Sequence, residues 1–192
     1  MKKKLSELSL EELWKLFPIM LTSHQSCWKD WYLEEKNYLT SILISKEIVS
    51  IQHIGSTAIP TIWAKPIIDI LVELTKDSDM EAIKERLEQK EYICMLKTEN
   101  RMSLNKGYTE EGYAKKVFHI HLRFDGDHDE VYFRDYLIDN PSVANEYEKL
   151  KLGLWEKYEY NRDGYTKAKT EFVEKYTKYA NSIYCNMSKR GI

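Results

Sequence analysis

PIIDILVEL, from Pro66 to Leu74, is a nearly unbroken run of branched apolar residues interrupted at its fourth position by an aspartate. Such a run suits a strand in the buried part of a sheet. The side-chain period of two places Asp69, Leu71 and Glu73 on one face and Ile68, Ile70 and Val72 on the other. An aspartate in that setting needs a partner, because a buried charge without compensation is costly. The preceding EIVSIQHI alternates in the same manner and ends directly on Gly55 and Ser56. Glycine after a strand lets the backbone turn sharply and approach a ligand closely. Gly55, Ser56 and Thr57 together form a candidate cradle of donors for a phosphate. The plainer alternative is an ordinary turn, with Asp69 paired to a lysine or arginine.

A second strand bears on this choice. In KVFHIHLRF the alternation gathers Val117, His119, His121 and Arg123 on one face and Phe118, Ile120, Leu122 and Phe124 on the other. If this strand neighbours the one carrying Asp69, a carboxylate, two imidazoles and a guanidinium converge. Imidazoles two residues apart on a strand can reach one ion, so Asp69, His119 and His121 are the candidate metal ligands. The competing reading is a polar sheet face covered by helices, its histidines hydrogen-bonded to neighbours.

Around these strands the pattern is helical. Ser9 and Glu12 are spaced as a capping box for a short first helix ending near Pro18, and SCWKDWYLEEKNYLTSIL has one apolar face at three- and four-residue spacing. Ser78 and Glu81 have the same capping spacing at the head of a helix running to Lys90. EYICML reads as a strand, followed by a polar loop containing Gly107 and Gly112. From Glu130 onward three helical stretches follow: EVYFRDYLIDN, then PSVANEYEKLKLGLWEKY with Pro141 suited to a first turn, then GYTKAKTEFVEKYTKYANSIY. In the last, Lys167 and Lys169 read as a solvated face, with Lys169 the candidate for the cleft. The order predicts an α+β chain of one unit over residues 1–192: helices to 45, a sheet core over 46–125, and helices from 126.

Charge narrows the partners. The 29 basic and 31 acidic residues are mixed along the chain, giving a net charge of −2 and no global field for non-specific nucleic-acid binding or an anionic membrane. Cys27, Cys94 and Cys185 are far apart and lack the spacing of a zinc or redox motif, so reduced thiols are expected. The N-terminal MKKKLSELSLEELW lacks the apolar stretch of a signal peptide, and no apolar run reaches the ~20 residues of a membrane span. A cytoplasmic location is the expectation. The aromatic load of 14 Tyr and 5 Trp includes Trp28, Trp31 and Tyr32 on one helix and Tyr176, Tyr179 and Tyr184 on another. Such groups build cores or interfaces, which keeps a homo-oligomer and an interaction role in view.

HIGSTAIPTIWAKPIIDILV, FHIHLRF, FRDYLIDNPSVANEYEKLK and YTKAKTEFV, in that order, resemble the motifs of the GrpB family over roughly residues 20 to 180. That family belongs by fold to the nucleotidyltransferase superfamily. The resemblance implies a nucleotidyltransferase-like α+β fold, a short mixed sheet flanked by helices with a helical C-terminal part. It also implies metal-dependent nucleotidyl or phosphoryl transfer from a nucleoside triphosphate, or another phosphorylated small molecule, to an acceptor. In that superfamily a Gly-Ser turn precedes a strand with two acidic residues two apart, and a third stands on a neighbouring strand; these carboxylates hold two divalent ions. Gly55 and Ser56 match the turn and Asp69 the first acidic position. Leu71 stands at the second and cannot ligate magnesium. Glu73 is one alternation further on, about 13 Å from Asp69, too far to share its ion. The third position falls on the strand of His119 and His121, and imidazole suits zinc or manganese better than magnesium.

Two readings follow. In one, Asp69, His119 and His121 hold a single Mg, Mn or Zn ion with Asp69 and His121 catalytic, while Gly55, Ser56, Thr57, Lys65, Arg123 and Arg134 bind the phosphates. In the other, the pocket binds a nucleotide or phosphate ligand without transfer. For Arg134 the alternative is an ion pair holding its helix to the sheet.

Overall fold

The structure, a computed structural model, describes residues 3–189, with side chains through Cys185. Helix α1 (Leu10–Leu16) opens with the expected reciprocal cap: Glu12 N–H donates to Ser9 Oγ at 3.2 Å and Ser9 N–H to Glu12 Oε2 at 2.8 Å. Helix α2 (Cys27–Ile42) follows, then β1 (Ile48–Ile54), β2 (Ile68–Leu74), α3 (Met80–Glu88), β3 (Ile93–Lys97), β4 (Arg101–Thr109) and β5 (Gly112–Phe124). The chain closes with α4 (Asp129–Asp139), α5 (Pro141–Tyr158) and α6 (Arg162–Lys189). Pro141 opens α5, where its missing N–H costs nothing.

The five strands form one mixed sheet in the order β1-β2-β5-β4-β3. The β2–β5 pair is parallel and the other pairs are antiparallel. One face carries the larger core. Ile68, Ile70, Val72, Ile120 and Leu122 pack there against Trp28 and Leu39 of α2 and Ile83 and Leu87 of α3. Eighteen buried side chains in one cluster explain why β2 needs apolar residues on this face without a break. A second cluster joins the β1–β2 connection to the C-terminal helices, with Ile59 and Ile62 buried against Leu137, Ala144 and Tyr147. The turn after β1 is thus embedded in α4 and α5.

Two local expectations are corrected. Helix α3 is capped by Asp79, whose Oδ1 accepts from the amides of Glu81 and Ala82 at 2.9 and 3.2 Å. The Ser78 hydroxyl instead donates to Glu47 O at 3.2 Å and lies 2.8 Å from Thr75 Oγ1. Aspartate caps as well as serine, and the residue in extended conformation next to the first helical turn takes the role. The stretch read as a polar loop is strand β4 together with the start of β5. Met102 and Leu104 bury in the core, while Ser103 and Asn105 pair with His121 and His119. The strand looks polar because half of its alternation faces the polar side of the sheet.

Part of the aromatic load is internal and most of the rest is half-buried. Trp28 is 1% exposed, Tyr32 donates to Ile51 O at 2.9 Å, and Tyr176 stacks among Tyr136, Phe172 and Tyr179. Among the described residues no helix is long and apolar enough to cross a membrane.

Candidate functional site

The parallel pairing of β2 with β5 sets Asp69 beside His119, Leu71 beside His121 and Glu73 beside Arg123. Asp69 Oδ1 lies 3.2 Å from both His119 Nδ1 and His121 Nε2. Burial by itself would raise the Asp69 carboxyl, but the hydrogen bonds from the two imidazoles outweigh it and hold the group well below the usual carboxylate range. Burial pushes His119 down, only partly opposed by Asp69, so this imidazole is kept neutral. A chain of donors favours the tautomer protonated at Nδ1. Arg162 Nη2 donates to the Tyr108 oxygen at 3.0 Å, the Tyr108 hydroxyl donates to His119 Nε2 at 2.8 Å, and His119 Nδ1–H is left to donate to Asp69. Asp69, His119 and His121 each offer a ligand atom, and the three atoms lie within 4.8 Å of one another.

The Gly-Ser turn closes over this carboxylate. Gly55 has φ 69° and ψ −172°, a conformation open essentially to glycine alone. A Cβ at this position would sit 2.4 Å from Asp69 Oδ2, so the carboxylate rests against the bare Cα. Ser56 lines the cavity beyond it. The Thr57 hydroxyl is committed elsewhere: it donates to Ile67 O at 3.2 Å and accepts from His53 Nε2 at 3.0 Å. Burial lowers His53 to about 4, keeping it a neutral ring stacked on Tyr32 at 4.9 Å.

Over the imidazoles lies a cavity of about 340 Å³ whose walls carry Lys65, Lys151, Arg162 and Lys169, with Asp69 as its sole carboxylate. Lys65 and Lys169 lie against the Tyr165 ring, 4.7 and 4.8 Å from its centre. Lys151 donates to Trp63 O, and Glu148 one turn earlier accepts from Trp63 N–H, so α5 grips the β1–β2 connection through its backbone. Burial, then the charges of Lys169 and Arg162, lowers Lys65 to about 7; burial and Lys169 bring Lys151 to about 7. Cations crowded to this extent favour an anionic occupant. A wider groove of about 630 Å³ adjoins the first cavity, and Ser56, Asp69, His121 and Lys169 border both.

Of the sequence candidates, Gly55, Ser56, Lys65, Asp69, His119 and His121 converge here. Arg123 and Arg134 do not. Arg123 is buried and spends its donors on Glu130, Met102 O and Leu122 O. Arg134 binds His53 O at 2.7 Å and Asp135 at 2.7 Å, holding α4 to the end of β1. The second acidic position is filled by hydrocarbon: Leu71 is fully buried against Ile54 and Val131. Sequence reasoning missed Arg162 and Lys151. The first had a signal, since Arg162, Tyr165 and Lys169 share one helix face at three- and four-residue spacing. Lys151 had none, looking like any solvated helix lysine.

Residues 18–179 match the GrpB protein family. The chain is 37% identical to the glutamate-rich protein GrpB of Alkalihalophilus pseudofirmus over 161 residues, 81% of this chain and 92% of that one. It is 31% identical over 170 residues to the UPF0157 protein YqkA of Bacillus subtilis, covering 87% of this chain but 48% of that one. The crystal structure of the conserved protein GrpB from Enterococcus faecalis is similar at TM-score 0.75 and 29% identity, over 86% of this chain and 99% of that one.

Proposed function

The chain belongs to the GrpB family, and on that premise we propose that it binds a nucleoside triphosphate or another phosphorylated small molecule in the cationic cavity and transfers a nucleotidyl or phosphoryl group to an acceptor. The observation that carries this reading is a wall of four basic side chains, Lys65, Lys151, Arg162 and Lys169, around one carboxylate, with Ser56 of the Gly-Ser turn on the same wall. Lys65, Lys169 and Arg162 neutralise phosphate oxygens, and Ser56 adds a hydroxyl at the floor. The acceptor occupies the adjoining groove, and His121 stands at the junction because it borders both spaces.

Asp69 repels phosphate unless a cation lies between them. Its carboxylate, His119 Nδ1 and His121 Nε2 fit one divalent ion of the zinc or manganese type, with two nitrogens and an oxygen as ligands. Such an ion, when bound, draws charge from the phosphoryl oxygens and makes a coordinated hydroxyl more acidic. For His119 to present a lone pair at Nδ1, its proton moves to Nε2, where the Tyr108 oxygen accepts it. Leu71 denies the site the second carboxylate of a two-ion centre.

The test is calorimetric titration of nucleoside triphosphates into metal-stripped protein with magnesium, manganese or zinc added in turn, for the wild type and Asp69→Asn. Metal-dependent binding lost in the variant, with release of pyrophosphate (nucleotidyl transfer) or of the nucleoside diphosphate (phosphoryl transfer) once an acceptor is supplied, is the expected result. Binding without release across acceptor classes would leave a ligand-binding protein, the reading that the buried Leu71 favours. No binding under any condition would overturn both.

A further inference from the structure

Glu73, at the far end of β2, leads to a different site. It lies four strand residues from Asp69, roughly 13 Å at strand rise, so one ion cannot serve both. Its side chain is 3% exposed and its two oxygens have different surroundings. Oε2 accepts from the Ser50 hydroxyl and from Gln52 Nε2 at 3.2 Å. Oε1 is buried with no hydrogen-bond partner. His128 Nδ1 lies 2.7 Å from it, close enough for a hydrogen bond but not aligned to make one. Two ligands each about 2.1 Å from one ion stand about 3.0–3.4 Å apart, so a small opening of this contact would seat a shared cation.

The third member is Asp125, at the first position after β5, whose N–H donates to Leu74 O at 2.8 Å and so ties it to the end of β2. Ligand atoms of Glu73, Asp125 and His128 lie within 4.8 Å of one another. The neighbouring carboxylates have cationic partners: Arg101 lies 2.7 Å from Asp127 and 3.2 Å from Asp129, and Arg123 lies 2.7 Å from Glu130. No lysine or arginine among the described residues pairs with Glu73 or Asp125. Glu73 and Asp125 thus share one imidazole, with Arg123 beside Glu73 in the sheet already committed to Glu130, and a cation would add the charge that the pair lacks.

We infer that Glu73, Asp125 and His128 form a second divalent-cation site, independent of the one at Asp69, that clamps the β5–α4 connection to the end of β2. One nitrogen and two oxygens suit a first-row ion such as zinc, manganese or iron(II). Ser50 and Gln52 orient the buried carboxylate from behind. Because His128 immediately precedes α4, the ion would fix the start of the helix whose Val131 covers Leu71.

The experiment uses the full chain carrying Asp69→Asn and His121→Gln, which leaves His119 as the one remaining ligand of the first set. Zinc and cobalt(II) are titrated into the metal-stripped protein, followed by calorimetry and, for cobalt, visible absorption. One equivalent is expected to bind and to raise the midpoint of thermal unfolding. Adding His128→Gln or Asp125→Asn, both at solvent-accessible positions, is expected to weaken it at least tenfold. Absence of binding in the parent, or binding indifferent to both changes, would overturn the site and leave His128 as a plain ion-pair partner of Glu73. The result stands apart from the phosphoryl-transfer reading, since Asp69 is already removed.

Discussion

Gly55→Ala tests whether the turn and the carboxylate are built as one unit. At φ 69° and ψ −172° an alanine pays about 1–3 kcal/mol of backbone strain. Its Cβ would also lie 2.4 Å from Asp69 Oδ2 and 3.0 Å from Asp69 Cβ, so the side chain must leave its place. Leaving breaks the hydrogen bond from His121 and the weaker contact with His119, both 3.2 Å, and about 1.5–3 kcal/mol for the one charge-assisted bond is a fair magnitude at a partly exposed site. The total loss is therefore about 3–6 kcal/mol, read as a lower urea midpoint at unchanged slope. In an Asp69→Gly background the obstructing atoms are gone, and the same substitution should cost about 1–3 kcal/mol, the strain alone. Gly126→Ala is the control, because Gly126 also has positive φ but nothing lies within 4 Å of its added Cβ. A double-mutant coupling of about 1.5–3 kcal/mol is expected; coupling below about 0.5 kcal/mol would refute the claim that Gly55 exists to seat Asp69.

Leu71→Asp, which places a second carboxylate two residues from Asp69, should destabilise the chain by about 3–5 kcal/mol in urea unfolding, since the new charge would lie among Ile54 and Val131. A stable variant that gains a second bound ion would show the hydrocarbon setting to be readily remodelled. Lys65 and Lys151, both lowered to about 7, lose charge above that pH, so triphosphate affinity should fall between pH 7.5 and 9.5, by up to about tenfold per pH unit for each lysine that the ligand needs charged. Calorimetry across that range checks it, and flat affinity would remove the lysines from the binding account. The sign for stability is opposite. The unfolded lysine keeps its ordinary value of 10.5, so between about pH 7 and 10.5 the unfolded chain binds more protons and these two groups make the unliganded fold more stable as pH rises. Lys151→Met should flatten that slope in urea titrations at pH 7.5 and 9.5.

Much of the site was legible because its parts obey local rules. The alternation in PIIDILVEL and KVFHIHLRF assigns Asp69, His119 and His121 to definite faces whatever surrounds them, and a glycine straight after a strand marks a turn. Strand β4 was not legible, since Ser103 and Asn105 break the apolar signal for the same reason that they border the site: they stand beside His121 and His119. The helix start at Asp79 was misplaced by one residue because two adjacent residues both had capping chemistry.

By itself the sequence determined which side chains share a face, since backbone geometry alone sets a period of two in strands and 3.6 in helices. Only the tertiary structure decided that β2 and β5 are neighbours, with α3, β3 and β4 between them in the chain, because strand order follows from which faces can be buried together. The same packing brought Lys151 and Arg162 over the imidazoles, turned Arg123 and Arg134 into braces, sealed Leu71 under Val131 and gave Glu73 its own partners. What a charged side chain does depends on the groups that reach it from distant segments, and no local period carries that information.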